Sequence, residues 1–60
     1  MKKEYCYKRK GAKVEIYVNP KGRMFLNFLD KKGKVLQSEH IADDVAKDLV
    51  RAERLKRGKC

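Results

Sequence analysis

Three turns decide the fold: Lys8-Arg9-Lys10-Gly11, Asn19-Pro20-Lys21-Gly22 and Asp30-Lys31-Lys32-Gly33, whose glycines are spaced 11 residues apart. In the second and third turns a short polar side chain, Asn19 or Asp30, can accept hydrogen bonds from the backbone just ahead of it. The closing glycine can take a positive φ without steric cost. This chemistry predicts three-residue hairpin loops with a bulge at the glycine, and therefore consecutive antiparallel strands.

The loops also predict the strand register, because opposed residues are found by counting outward from each turn. In the second hairpin Ile16 then lies opposite Leu26, and in the third Phe28 lies opposite Leu36. Neighbours along a strand point to opposite faces, so this register sorts the side chains into two sets. The apolar face collects Val14, Ile16, Val18, Met24, Leu26, Phe28 and Leu36, with Ser38 and His40 at the end of the last strand. The mixed face collects Lys13, Glu15, Tyr17, Arg23, Phe25, Asn27, Leu29, Val35, Gln37 and Glu39.

The N-terminal segment has two interpretations. Residues 3 to 8 can form a first strand, with Cys6 opposite Val14 on the apolar face and with Tyr5 and Tyr7 on the mixed face. The first turn lacks the Asn or Asp at its start, however, so residues 1–10 can equally form a loose basic arm of the kind that binds nucleic acid.

A change of period after the strands predicts a helix. Ala42, Val45, Ala46 and Leu49 recur at steps of three and four, and Gly58 is a natural stop, so we expect a helix over residues 42–57. The predicted fold is a single α+β domain: an antiparallel β-meander of three or four strands with the C-terminal α-helix packed on one face. Its segments are 1–11 (first strand or arm), 12–41 (meander), 42–57 (helix) and 58–60 (tail).

The net charge and the number of cysteines limit the classes of partner and the compartment that we expect for the protein. The 60 residues carry 17 Lys and Arg against 8 Asp and Glu, a net charge of +9, which favours a polyanionic partner. No stretch approaches the roughly 20 apolar residues of a membrane span, so no membrane partner is expected. Two cysteines, Cys6 and Cys60, are too few for a disulfide scaffold. We therefore expect both thiols to be reduced and the protein to be cytoplasmic.

Catalysis and metal binding have little support in the sequence. There is one histidine, His40, and no glycine-rich phosphate loop. A set of Cys6, His40 and Asp43 would need residues from opposite sheet edges. The cysteines and histidine also lack paired ligand spacing for zinc. We expect no enzymatic activity, no cofactor and no metal.

The mixed face, which the helix would leave open, has the composition of a nucleic-acid-binding surface. Aromatic side chains can stack on bases, Asn or Gln can pair with adenine, and turn lysines can hold phosphates. The alternative is that Tyr17, Phe25, Leu29 and Val35 are cross-strand pairs that only hold the sheet together. The sequence predicts a small basic protein that binds nucleic acid, DNA rather than RNA. The candidate contacts are Lys13, Tyr17, Lys21, Arg23, Phe25, Asn27, Lys31, Lys32, Gln37, Arg54 and Arg57.

A second hypothesis assigns the same face, or the edge strand of the sheet, to a protein partner. Tyr17, Phe25, Leu29 and Val35 would then be the anchors of a protein-interaction module or inhibitor of the phage or mobile-element type. The partner would be an acidic protein, or a second copy of the chain in a homodimer; otherwise the chain would be a monomer.

The order of elements also resembles known DNA-binding domains. Residues 13–18 (KVEIYV), residues 23–28 (RMFLNF) and the helix start at 42–46 (ADDVA) are similar in order to the arm-binding domains of phage and transposon tyrosine recombinases and to plant ethylene-response-type domains. In those families the sheet face away from the helix enters the major groove of DNA. The resemblance covers residues 12 to 57 and lacks the plant family's tryptophans. It implies DNA as the partner.

Overall fold

The computed structural model describes residues 3 to 60 and confirms an antiparallel sheet with a C-terminal helix. The strands are β1 (Tyr5–Lys8), β2 (Val14–Val18), β3 (Met24–Leu29), β4 (Val35–Ile41) and β5 (Lys56–Gly58), and the helix α1 (Asp43–Ala52) lies between β4 and β5 in the chain. The sheet order is β4-β3-β2-β1-β5, and every neighbouring pair is antiparallel.

The second and third turns have the predicted chemistry. Asn19 Oδ1 accepts hydrogen bonds from the backbone amides of Lys21 at 3.0 Å and Arg23 at 2.8 Å. Asp30 Oδ1 accepts two backbone bonds in the same pattern, at 2.8 and 2.9 Å. The glycines that close these turns have φ of 85° and 83°. Strands β2 and β3 consequently pair in the predicted register, from Val14 opposite Phe28 to Val18 opposite Met24.

The core lies between the sheet and α1. Ile16 and Val18 of β2 are fully buried, and Ala46 of the helix and Leu55 beyond it complete the buried cluster. The apolar face was therefore correctly predicted for β2 and β3. Partly buried side chains surround the cluster: Tyr5, Tyr7, Ala12, Met24, Leu26, Ile41, Leu49 and Val50.

The predicted register of β4 is wrong beyond its first pair. Leu29 lies opposite Val35, as the loop requires, but Phe28 lies opposite Gln37 because a β-bulge intervenes. Leu36 is the extra residue, and its side chain is 68% exposed. One extra residue reverses the facing of all later side chains in the strand. Gln37 and Glu39 therefore lie on the helix side, whereas Ser38 and His40 lie on the face away from the helix.

Residues 5 to 8 form a strand rather than an arm, but its predicted register is also wrong. Cys6 lies opposite Tyr17 instead of Val14, and Tyr5 and Tyr7 lie on the helix side opposite Val18 and Ile16. The connection to β2 spans residues 9–13 instead of three residues, which shifts the pairing by an odd number of positions. Residues 1 and 2 of the predicted arm lie outside the described residues.

The helix is shorter than predicted, and its expected last turn is a fifth strand. Helix α1 ends at Ala52, and Arg54 takes a positive φ of 55°. This reversal turns Leu55 into the core, where it is 6% exposed. Residues 56–58 then pair with β1, so the terminal segment is part of the sheet.

A disulfide joins the last residue to β1. Gly58 lies opposite Cys6, and Cys60 is bonded to Cys6 with a Cα–Cα distance of 5.1 Å. The expectation of two reduced thiols is therefore wrong. It depended on the low number of cysteines, whereas the pairing of β5 with β1, which brings the two cysteines together, was not predicted. None of the helices in residues 3–60 is long and apolar enough to cross a membrane.

Candidate nucleic-acid interface

Three ring side chains form a row across the sheet face that the helix leaves uncovered. Tyr17 of β2 and Phe25 of β3 have ring centroids 6.2 Å apart, and Phe25 and His40 of β4 have centroids 5.4 Å apart. The three residues are opposed in the strand pairing, so they share one face. We call this face the open face; its residues on β2, β3 and β4 are Tyr17, Phe25, His40, Glu15, Asn27, Ser38, Leu29 and Val35, and Cys6 of β1 lies beside Tyr17.

Glu4 fixes one end of the ring row. The Tyr17 hydroxyl donates a hydrogen bond of 2.6 Å to Glu4 Oε2. This bond, more than burial or the carboxylate charge, raises the pKa of Tyr17 above its ordinary value. The bond orients the phenol, which keeps its proton to a higher pH than a free tyrosine does.

The next row on the open face is polar. Asn27 is half-buried and lies opposite both Glu15 and Ser38. The predicted partner of Asn27 in base recognition, Gln37, is not in this row, because the bulge places it on the helix side. There its amide donates a 2.7 Å hydrogen bond to Glu39. The polar side chains of this row are therefore Asn27, Ser38 and Glu15.

Two of the lysine-rich turns lie side by side at one end of the sheet. The first and third turns line one open groove, in which Lys13 lies near Lys31 and Lys32. A neighbouring groove joins the first turn to Gly33 and Leu29. We call this region the basic end. Its cationic side chains, all exposed, are Lys8, Arg9, Lys10, Lys13, Lys31, Lys32 and Lys34.

Asp30 and Glu15 are the acidic side chains that line these two grooves, and Asp30 is occupied in holding its own turn. The Asp30 carboxylate accepts the backbone bonds of its own turn. The Arg9 guanidinium donates a 2.9 Å bond to the backbone carbonyl of Glu53, which ties the first turn to the end of α1. The turn geometry thus fixes the backbone positions of the turn lysines but leaves their ammonium groups exposed to solvent.

The other predicted phosphate contacts are dispersed. Lys21 and Arg23 are exposed at the second turn, at the opposite end of the sheet. Arg54 is exposed just after the helix. The Arg57 guanidinium lies 3.8 Å from the centroid of the Tyr5 ring, a cation–π contact on the helix side. Of the predicted cations, the structure brings together Lys13, Lys31 and Lys32.

Sequence reasoning missed several members of both surfaces. His40 was placed on the wrong face, and Lys8, Lys10 and Lys34 were not selected. A usable signal for the lysines was present: in a meander, alternate turns fall at the same end of the sheet, so the first and third turns had to meet. The bulge that moved His40 has no comparable signal in the sequence.

Neither a metal centre nor a related protein adds to this description. Among residues 3–60, no cluster of three or more His, Cys, Asp or Glu side chains could hold a metal ion. The chain matches no protein-family model, no curated protein and no solved structure.

Proposed function

We propose that the protein is a non-enzymatic nucleic-acid-binding protein. The observation that supports this best is the basic end, where two turns from distant parts of the sequence contribute adjacent lysines. Such a concentration of exposed positive charge attracts phosphates and steers polyanions towards this end of the molecule. The ring row, on the face away from the helix, offers surface for bases, while the lysines hold the backbone.

Salt dependence is the first test of this proposal. Affinity that depends on phosphate contacts falls linearly on a log–log plot against salt, with a slope of about −0.9 per contacted phosphate for duplex DNA and about −0.7 for single strands. We expect the protein to bind DNA of mixed sequence in a mobility-shift assay at about 50 mM salt, and we expect the affinity to fall steeply by about 200 mM salt. Absence of binding at the lower salt concentration would refute the proposal.

Charge-reversal variants locate the contact. The variants Lys13→Glu and Lys31→Glu change residues at the basic end. The control variant Lys47→Glu changes an exposed residue of α1 and alters the net charge by the same amount. We expect the first two to weaken binding and to lower the salt slope by about 1 each. Lys47→Glu should retain the wild-type slope. Equal losses from all three would show that only net charge matters.

One observation favours the second candidate function, a protein partner or a homodimer. Strand β4 is an edge of the sheet, and six of its seven residues are exposed, including Val35 at 44% and Leu36 at 68%. An unpaired strand edge with apolar side chains can accept a strand from another chain. An acidic protein, or a second copy of this chain, would complete the sheet there.

Light scattering and pull-down experiments separate the two functions. A homodimer through β4 predicts a concentration-dependent doubling of mass that Leu36→Lys abolishes. An acidic protein partner predicts a stoichiometric complex that survives nuclease treatment. A monomer at high concentration, with no nuclease-resistant partner, would exclude the second function.

A cytoplasmic location remains part of the proposal, and the disulfide makes it testable. Reducing compartments keep most thiols free, whereas the Cys6–Cys60 bond is formed in the structure. Thiol trapping in intact cells should find both cysteines alkylated if the protein is cytoplasmic. Unmodified cysteines that react only after reduction would assign an oxidising compartment.

A further inference from the structure

The ring row indicates which form of nucleic acid the protein binds, a single strand or a duplex. This inference rests on the proposed function. We infer that the open face binds an unpaired strand, with bases stacked on Tyr17, Phe25 and His40. The rings come from three adjacent strands, β2, β3 and β4, so they form a stepped platform across the sheet. Neighbouring centroids are 6.2 and 5.4 Å apart, and the ring planes are inclined to each other by 37° and 67°, so each ring offers its own surface to a base.

Stacking on such a platform requires bases whose flat faces are accessible. In a duplex each base face is covered by its neighbour, and only the edges are exposed in the grooves. In a single strand the bases can turn outward and stack on aromatic side chains. A row of rings therefore gains contact area with an unpaired strand that it cannot gain with a paired one.

The carboxylates of the open face also disfavour a duplex. Glu4 lies beside Tyr17, and Glu15 lies in the next row, opposite Asn27. A duplex laid across this face would bring two phosphate backbones near these negative charges. An unpaired strand has one backbone, which can point away from the sheet while its bases face the rings.

Cations lie on both sides of the path that such a strand would take across β2, β3 and β4. Arg23 precedes Phe25 at one end of β3, and Lys31 follows Leu29 at the other, next to Lys13. Because the ring row runs across the strands of the sheet, the nucleic-acid strand would cross them too, with its bases over the rings. Its phosphates would then have positive charge on either side of the ring row.

Binding to matched probes tests the inference. Labelled single strands of thymidine or of uridine, about 12 nucleotides long and within the usual range of site sizes, are compared with a DNA hairpin duplex of equal length at about 50 mM salt. We expect both single strands to bind more tightly than the duplex. The thymidine and uridine probes show whether the site prefers DNA or RNA.

Two phenylalanine variants supply the matched control. Phe25→Ala removes the central ring of the row, whereas Phe28→Ala removes a ring that is 37% exposed on the helix side. Phe25→Ala should weaken single-strand binding by about 5- to 150-fold, the range for losing one stacked base, and should leave duplex binding unchanged. Phe28→Ala should leave both unchanged, and Phe25→Tyr should restore single-strand binding. Circular dichroism confirms that each variant is folded.

The outcomes separate this inference from the proposed function. Binding to the duplex that equals or exceeds binding to the single strands overturns the inference but not the function. An equal loss on all probes with Phe25→Ala, without rescue by Phe25→Tyr, also overturns it. No binding to any probe overturns the proposed function itself.

Discussion

Removing the disulfide should cost a large part of the stability of the domain. Cys6 and Cys60 are 54 residues apart in sequence, so their bond closes nearly the whole described chain into one loop. The chain-entropy relation gives about 4 kcal/mol at 25 °C for a loop of this length. A 60-residue domain has a total stability of roughly 3 to 9 kcal/mol. The disulfide therefore supplies about half of the stability or more.

The variant Cys60→Ser tests this figure with little change to the packing. Cys60 is exposed, whereas Cys6 is 2% exposed, so replacing Cys60 leaves the side chains of the sheet in place. We expect urea unfolding to show a loss of about 4 kcal/mol relative to the oxidised wild type. The corresponding fall in melting temperature is about 15 to 30 °C.

A matched control uses the wild-type chain in reductant, which should reproduce the loss without any mutation. The reasoning would be refuted if Cys60→Ser and the oxidised wild type unfolded within about 0.5 kcal/mol of each other, the usual range for surface substitutions. Alkylation of both cysteines in the folded, unreduced protein would refute the bond itself.

Four further perturbations test the turns, the core and the Tyr17 contact. Gly22→Ala should cost about 1 to 2 kcal/mol in urea unfolding, because Gly22 has a φ of 85°, whereas Gly58→Ala, at a position without positive φ or close neighbours, should change stability by less than about 0.5 kcal/mol. Ile16→Ala should cost about 2 to 5 kcal/mol, since Ile16 is fully buried; a smaller loss would place it outside the core. Tyr17 has a raised pKa, so the folded state retains a proton that the unfolded chain loses, and stability should fall as pH rises above about 10. Glu4→Gln should lower that pKa in an absorbance titration, and an unchanged titration would contradict the hydrogen bond.

Local turn chemistry allowed the central hairpin to be predicted from the sequence. Asn19 and Asp30 each accept two backbone bonds, and those bonds fix the loop length and with it the pairing of β2 and β3. Because the side chains alternate strictly, the core residues Ile16 and Val18 followed directly. The information for this part of the fold lies within a few residues of each turn.

The misplaced residues depend on interactions that are distant in sequence. The bulge at Leu36 lets Ile41 pair with Met24 beneath the helix, and no residue near the third turn indicates it. The fifth strand forms because Leu55 reaches the core and β1 offers a free edge, neither of which appears in the periodicity of residues 42–57. The candidate site was consequently predicted in part. Tyr17 and Phe25 were correctly placed on the open face, whereas Gln37 and His40 were each assigned to the wrong face.

The bond between Cys6 and Cys60 has a mechanical consequence. If the molecule is pulled from Lys3 and Cys60, the tension passes through residues 3 to 6 and then directly across the sulfur bridge. The hydrogen bonds within the loop that the bridge closes, residues 6 to 60, carry no load until the bridge is cleaved. In an optical trap the oxidised protein should therefore lengthen only slightly, whereas the reduced protein should release its 54-residue span in one unfolding event.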